Sequence, residues 1–296
     1  MDTAASPNSS PRISITPQDL AARIGRANAP LLLDVRREPK FLDSPRLLAG
    51  AQRCAPEAMA ALAASQPPRD VVVYCVYGHN VSEEAVATLH AAGWNAVALA
   101  GGIQGGEEGV DSPENIANWR ANRVPSIAKR PDWGVTGEQP SRWITRERPK
   151  IDRIACPWLI RRFIDPRAEF FYVPTEQVFG EARRLGAVAY DIPGAPLTHE
   201  WEHCSFDAVL RGFDLHDPAL DALATIVRGA DTDRLSLAPQ AAGLLAVSLG
   251  LSRLYADDHA MLAATMPVYD ALYEWCRSAQ GETHRWGAHK VVETAA

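Results

Sequence analysis

Three short apolar runs, LLLDV at 31–35, VVVYC at 71–75 and VAL at 97–99, are separated by stretches long enough for a helix. Continuous runs of this length suit strands buried on both faces, which is the habit of a parallel sheet. The intervening residues carry helix signals. Thr16 is a predicted N-cap, with Pro17 at the first helical position of a segment reaching Ala22. Ser82 is a predicted N-cap for a helix over 82–92, with Glu83 and Glu84 in its first turn and Gly93 at its end. Residues 13–15 add a candidate edge strand, and Gly101-Gly102 follows the last apolar run. Strands alternating with helices predict an α/β unit, a parallel sheet with helices on both faces.

That rhythm stops between 111 and 150, where Pro113, Pro125, Pro131, Pro140 and Pro149 alternate with Trp119, Trp133 and Trp143. A chain of 296 residues exceeds what one hydrophobic core usually serves. We therefore divide it into an α/β domain over 11–122, a linker over 123–141 and a second, mostly α (α+β) domain over 142–285. Helices are predicted there at 155–164, 175–184, 205–212, 217–227, 238–254, 257–263 and 265–279, and strands at 170–173 and 187–192. With a net charge of −6, broad nucleic-acid binding is not expected. No apolar run approaches the roughly 20 residues of a membrane span. The opening MDTAASPNSSPR lacks the basic and apolar regions of a secretory signal, so a cytoplasmic setting is expected. The five widely spaced cysteines, an odd number, fit a reducing compartment.

The segment VVVYCVYGHNVSEEAV places Cys75 at the C-terminal end of a buried strand, ahead of a glycine-containing loop and a helix. Ligands of open α/β sheets bind beyond the carboxyl ends of the strands. The amides of Val76, Tyr77, Gly78, His79, Asn80, Val81 and Ser82 and the helix start can converge there and favour a thiolate or persulfide. This arrangement resembles the rhodanese family over about residues 11–120. LLLDVRREPKF resembles its early strand-and-turn motif, with Asp34, Arg36 and Glu38 in place; RLLAGAQRCAP resembles the turn that follows, and LAGGIQGG the closing glycine pair. The resemblance implies a sulfurtransferase with Cys75 as nucleophile, a small sulfur donor and a thiol acceptor. The loop departs from many rhodaneses in lacking an arginine, and His79 is its one potential cation.

From about residue 142, RERPKIDRIACPWLIRRFIDPRAEFFYVP, YDIPGAPLTHEWEHCSFDAVL, IVRGADTDRLSLAPQAAGLLAVSLGLSRLYADDHAML and YDALYEWCR resemble the C-terminal domain of chromate-resistance protein B (ChrB). Residues 199–203 spell HExxH, but Pro193, Gly194 and Pro196 leave no room for the helix that a zinc protease needs. A different metal centre, for zinc or iron, is expected from His199, Glu200, Cys204, Asp152 and Asp231. Asp152 and Cys156 are four apart on one helix face. Arg153, Arg161 and Arg228 are candidates for binding an oxyanion, chromate being the one the resemblance suggests. The same arginines equally suit pairing with nearby acids. His259, His284 and His289 have no local partners in the sequence. Two functions follow: a sulfurtransferase fused to a chromate-resistance domain, or a non-enzymatic protein that senses metal or chromate.

Overall fold

The computed structural model describes residues 14–282. Its first part contains β1 (Ser14–Ile15), α1 (Pro17–Ala21), β2 (Leu31–Asp34), α2 (Glu38–Asp43), β3 (Arg46–Leu48), β4 (Gln52–Arg53), α3 (Met59–Ser65), β5 (Asp70–Tyr74), α4 (Val81–Ala91), β6 (Asn95–Leu99) and α5 (Pro113–Ala121). Five strands form one sheet in the order β1-β6-β5-β2-β4. Every pairing in it is parallel. The β2 and β5 runs lie at its centre, as continuous apolar strands must. Thr16 caps α1 by accepting the Asp19 amide at 3.1 Å. At α4 the expectation shifts by two residues. Asn80 is the N-cap, while Ser82 lies inside the first turn with its Oγ buried and unpaired among the described residues.

Side chains alternate across the sheet, and the two faces meet different partners. Leu31, Leu33, Val71 and Val73 pack with Met59, Ala85, Val86 and Leu89 of α3 and α4. Leu32, Val72 and Tyr74 point the other way, into a core that also contains Trp133, Trp143, Trp158, Phe163 and Tyr273. The α/β unit thus buries one sheet face against the second half of the chain rather than only against its own helices.

That second half contains β7 (Ser126–Ala128), β8 (Arg142–Arg146), α6 (Asp152–Leu159), β9 (Glu169–Val173), α7 (Val178–Leu185), β10 (Val188–Ala189), α8 (Ser205–Gly212), α9 (Pro218–Asp231), α10 (Ala241–Leu254) and α11 (Asp258–Glu274). A parallel sheet runs β10-β8-β9. The helices predicted at 257–263 and 265–279 are one element. Pro267 lies within α11 without breaking it, and a π-turn over 275–279 completes it. Within 123–141, β7 pairs antiparallel with β3. Backbone bonds then cross between the halves: Gly50 donates to Phe163 at 2.7 Å, Arg53 to Gly137 at 2.8 Å and Ala128 to Phe213 at 2.7 Å. Gly25, at φ +80°, lets the Phe163 ring lie directly on the backbone; a Cβ there would stand 2.1 Å from its Cζ. Among the described residues no helix is long and apolar enough to cross a membrane. Ile13, His284 and His289 lie outside the described residues.

Candidate functional sites

β5 delivers Cys75 to the carboxyl end of the sheet. The loop after it can close tightly because two glycines meet. Gly78 (φ +86°) and Gly102 (φ +56°) leave no space for side chains, and a Cβ on Gly102 would stand 2.5 Å from Val76 O and 2.7 Å from Cys75 O. Ile103 and Gln104 donate to the carbonyls of Cys75 and Val76 at 3.1 and 3.0 Å, fastening the loop to the Gly101-Gly102 turn. Cys75 is 6% exposed. Its Sγ accepts the Gly78 amide at 3.2 Å and lies 3.5 Å from the His79 carbonyl. His79 turns aside to Asp111, with Nε2 at 3.0 Å from Oδ2.

The cavity of about 290 Å³ over Cys75 is lined by the loop and by Arg36, Arg37, Lys40 and Glu107. Arg36 is fully buried and pairs with Asp34 at 2.5 Å; Tyr74 OH also donates to Asp34 at 3.0 Å. Asp34 and Arg36 are thus scaffold for the turn. The exposed cations at the mouth are Arg37 and Lys40, which the sequence did not single out. Arg37 is the N-cap of α2 and Lys40 lies within that helix, far from the loop in sequence.

The second site lies where the N-terminus of α6, the C-terminus of α9 and the irregular chain after β10 converge. His199 Nε2 stands 3.0 Å from Asp231 Oδ2 and 3.4 Å from both Asp152 Oδ2 and Asp191 Oδ1. Asp152 is fully buried; its Oδ2 accepts the Ser205 amide at 2.5 Å, and its Oδ1 has no partner among the described residues. Asp191, at φ +51°, accepts Ser205 Oγ at 2.8 Å and contacts Arg146 at 3.0 Å and Arg153 at 3.4 Å. Hydrogen bonds to Asp152, Asp191 and Asp231 push the His199 imidazole up to about 12. Burial raises Asp152 to about 6. Burial also acts to raise Asp191, but the bonds from His199 and Ser205 and the nearby arginines outweigh it and hold that carboxyl low.

Asp152, Asp231 and His199 are therefore brought together, with Asp191 as the member that sequence reading missed. Glu200 lies elsewhere, paired with Arg211 at 2.6 Å. Cys204 is buried at the head of α8, where its sulfur takes part in a capping box with Asp207. Burial pushes the Cys204 and Cys156 thiols up. The HExxH residues form a tight turn with Glu200 and His203 bridged, and Trp201 fully exposed at its tip with φ +58°. The candidate oxyanion arginines do not share one site. Arg153 faces Asp191, Arg228 forms a two-bond pair with Asp207 at 2.6 and 2.9 Å, and Arg161 lies over the Phe170 ring at 5.0 Å. His259 packs against Tyr172 with ring centroids 5.4 Å apart.

Comparison with known families assigns both halves. Residues 16–108 match the rhodanese-like domain model, and residues 143–276 match the model described as ChrB, C-terminal domain. The chain carries a rhodanese-like domain followed by a ChrB C-terminal domain. Among curated proteins, Protein ChrB from Cupriavidus metallidurans is 34% identical over 150 residues, 47% of this chain and 45% of its own length. The chain thus spans less than half the length of that relative. Among solved structures, a rhodanese homolog from Thermus thermophilus is 27% identical, covering 31% of this chain and 96% of its own, with a TM-score of 0.26. A Rhodanese_3 like domain from Anabaena sp is also 27% identical, covering 33% and 98%, with a TM-score of 0.24. A full-length protein from Lactobacillus plantarum is 22% identical, covering 39% and 88%, with a TM-score of 0.31.

Proposed function

We propose that the rhodanese-like domain is a sulfurtransferase that carries sulfane sulfur on Cys75, within a protein associated with chromate resistance. The observation that carries this reading is the Gly78 amide on Cys75 Sγ inside a cavity bordered by Arg37 and Lys40. The Cys75 thiolate attacks the outer sulfur of a small donor. The new S–S bond forms as the donor's own S–S bond breaks, and the donor fragment leaves with the electron pair as sulfite or a thiolate. An acceptor thiolate then takes the outer sulfur and returns Cys75 as thiolate. The Gly78 amide favours the anion at each stage, and Arg37 and Lys40 replace the missing loop arginine in drawing an anionic donor. Incubating the full chain with thiosulfate or glutathione persulfide should add one sulfur atom to Cys75. An unmodified Cys75, or equal turnover in Cys75→Ser, contradicts the assignment.

A second reading, oxyanion binding without turnover, is favoured by a different cavity. About 330 Å³ between the two halves is lined by Arg26, Arg69, Arg161, Arg162 and Arg167, with no aspartate or glutamate in the lining. Arg26, Arg162 and Arg167 also reach acids outside it. A tetrahedral dianion such as chromate or sulfate suits such a cleft. The three carboxylates around His199 would repel it. Calorimetric titration with chromate should give binding that Arg69→Gln with Arg161→Gln abolishes. Unchanged affinity in that double variant removes the cleft from the reading.

A further inference from the structure

The group around His199 is built by elements other than those that frame Cys75. Asp152 at the start of α6, Asp191 after β10, Asp231 at the end of α9 and His199 in the chain before α8 are brought together only by the tertiary fold. We propose that they form a binding site for one divalent first-row transition ion of the Mn(II) or Fe(II) class.

The spacing is that of shared coordination. Two donors each about 2.1 Å from one ion stand roughly 3.0 Å apart when their bonds are at right angles. The imidazole nitrogen lies 3.0, 3.4 and 3.4 Å from the three carboxylate oxygens. Donor atoms of Asp152, Asp191 and His199 all fall within 4.8 Å of one another, and Asp231 borders that group through His199.

The unpaired oxygen points independently to a ligand. Asp152 is 0% exposed, yet its Oδ1 receives no donor among the described residues. A buried carboxylate oxygen without a partner costs free energy unless a donor or a cation meets it. Charge then selects the cation. Arg146 and Arg153 offset Asp191, leaving Asp152 and Asp231 to a dication that takes the place of the proton shared between them and His199 in the free site.

Carboxylate oxygens with one imidazole nitrogen and no thiolate favour manganese or ferrous iron over a thiolate-type zinc site. The ligands are braced as metal ligands usually are: Ser205 bonds both Asp152 and Asp191, and the Asp152 amide reaches Asp231 Oδ1 at 3.3 Å. The His199 side chain is 40% exposed, so the site opens to solvent on that side.

Titration of chelator-treated full chain with Mn(II), followed by the free-ion electron paramagnetic resonance signal, should remove one equivalent of signal per chain, and Fe(II) should compete. Asp231→Asn and His199→Gln, substitutions at the open side, should each weaken binding at least tenfold while far-ultraviolet circular dichroism stays unchanged. If one variant misfolds, the other decides. A full free-ion signal with excess wild-type protein overturns the proposal, as does wild-type affinity in a folded variant.

Discussion

Replacing Gly25 by alanine tests whether the two halves share one core. Two costs fall on that substitution. The backbone sits at φ +80°, where a Cβ costs about 1–2 kcal/mol. The new methyl would also meet Cζ of Phe163 at 2.1 Å and both Cε atoms at 2.8 Å. Phe163 cannot simply retreat, because it is fully buried with Trp158 at 5.9 Å and Tyr273 at 5.3 Å between ring centroids. Overpacking of this kind costs about 1–3 kcal/mol. The expected total is about 2–5 kcal/mol. With a urea m-value of about 3 kcal/mol/M, the midpoint should fall by about 1 M. Phe163→Leu alone should cost less than the roughly 3–5 kcal/mol of a Phe→Ala change. Combined with Gly25→Ala it should relieve the clash, so the double variant should be more stable than the sum of the single effects by about 1 kcal/mol. Equilibrium unfolding of the full chain, followed by tryptophan fluorescence and circular dichroism, reads all four proteins and should show one coincident transition. A Gly25→Ala protein within about 0.5 kcal/mol of wild type, strict additivity, or separate transitions for the two halves would refute the shared core.

Gly102→Ala places a methyl against the backbone of Cys75, Val76 and Gly78; displacement of the loop should slow sulfur transfer at least tenfold with circular dichroism unchanged, and a rate within twofold of wild type would contradict the packing described. Lys129 is half-buried with Nζ 3.5 Å above the Phe41 ring, and burial lowers it from 10.5 to about 8. Between about pH 8 and 10.5 the unfolded chain therefore holds a proton that the folded chain does not, so this residue's contribution rises with pH. The melting temperature of wild type relative to Lys129→Met should increase from pH 7.5 to 10; a flat or falling difference would contradict the shift.

The alternation of apolar runs and helix signals made the first domain legible, because β2 and β5 are buried on both faces and need no cross-chain information to be recognised. Short edge elements left no such trace: β4 is two residues long and β7 three, and both exist through their partners. The Ser82 cap failed for a related reason. The tight Gly78–Gly102 contact fixes where the loop ends, and Asn80 then falls at the cap position. At the sulfur site the cysteine was legible, whereas Arg37 and Lys40 depend on how the start of α2 lies against it. At the His199 site, residue type alone drew attention to Glu200 and Cys204. Local turns take them away, to Arg211 and to the head of α8, and Asp191 enters through a left-handed backbone that no periodicity announces.

Intact-protein and peptide mass spectrometry after treatment with a sulfane-sulfur donor bears most directly on the role assigned to the rhodanese-like domain. The account predicts a mass gain of one sulfur atom, located on Cys75, reversed by a thiol and missing from Cys75→Ser. A chain that gains nothing, or gains the same sulfur elsewhere when Cys75 is replaced, would contradict it.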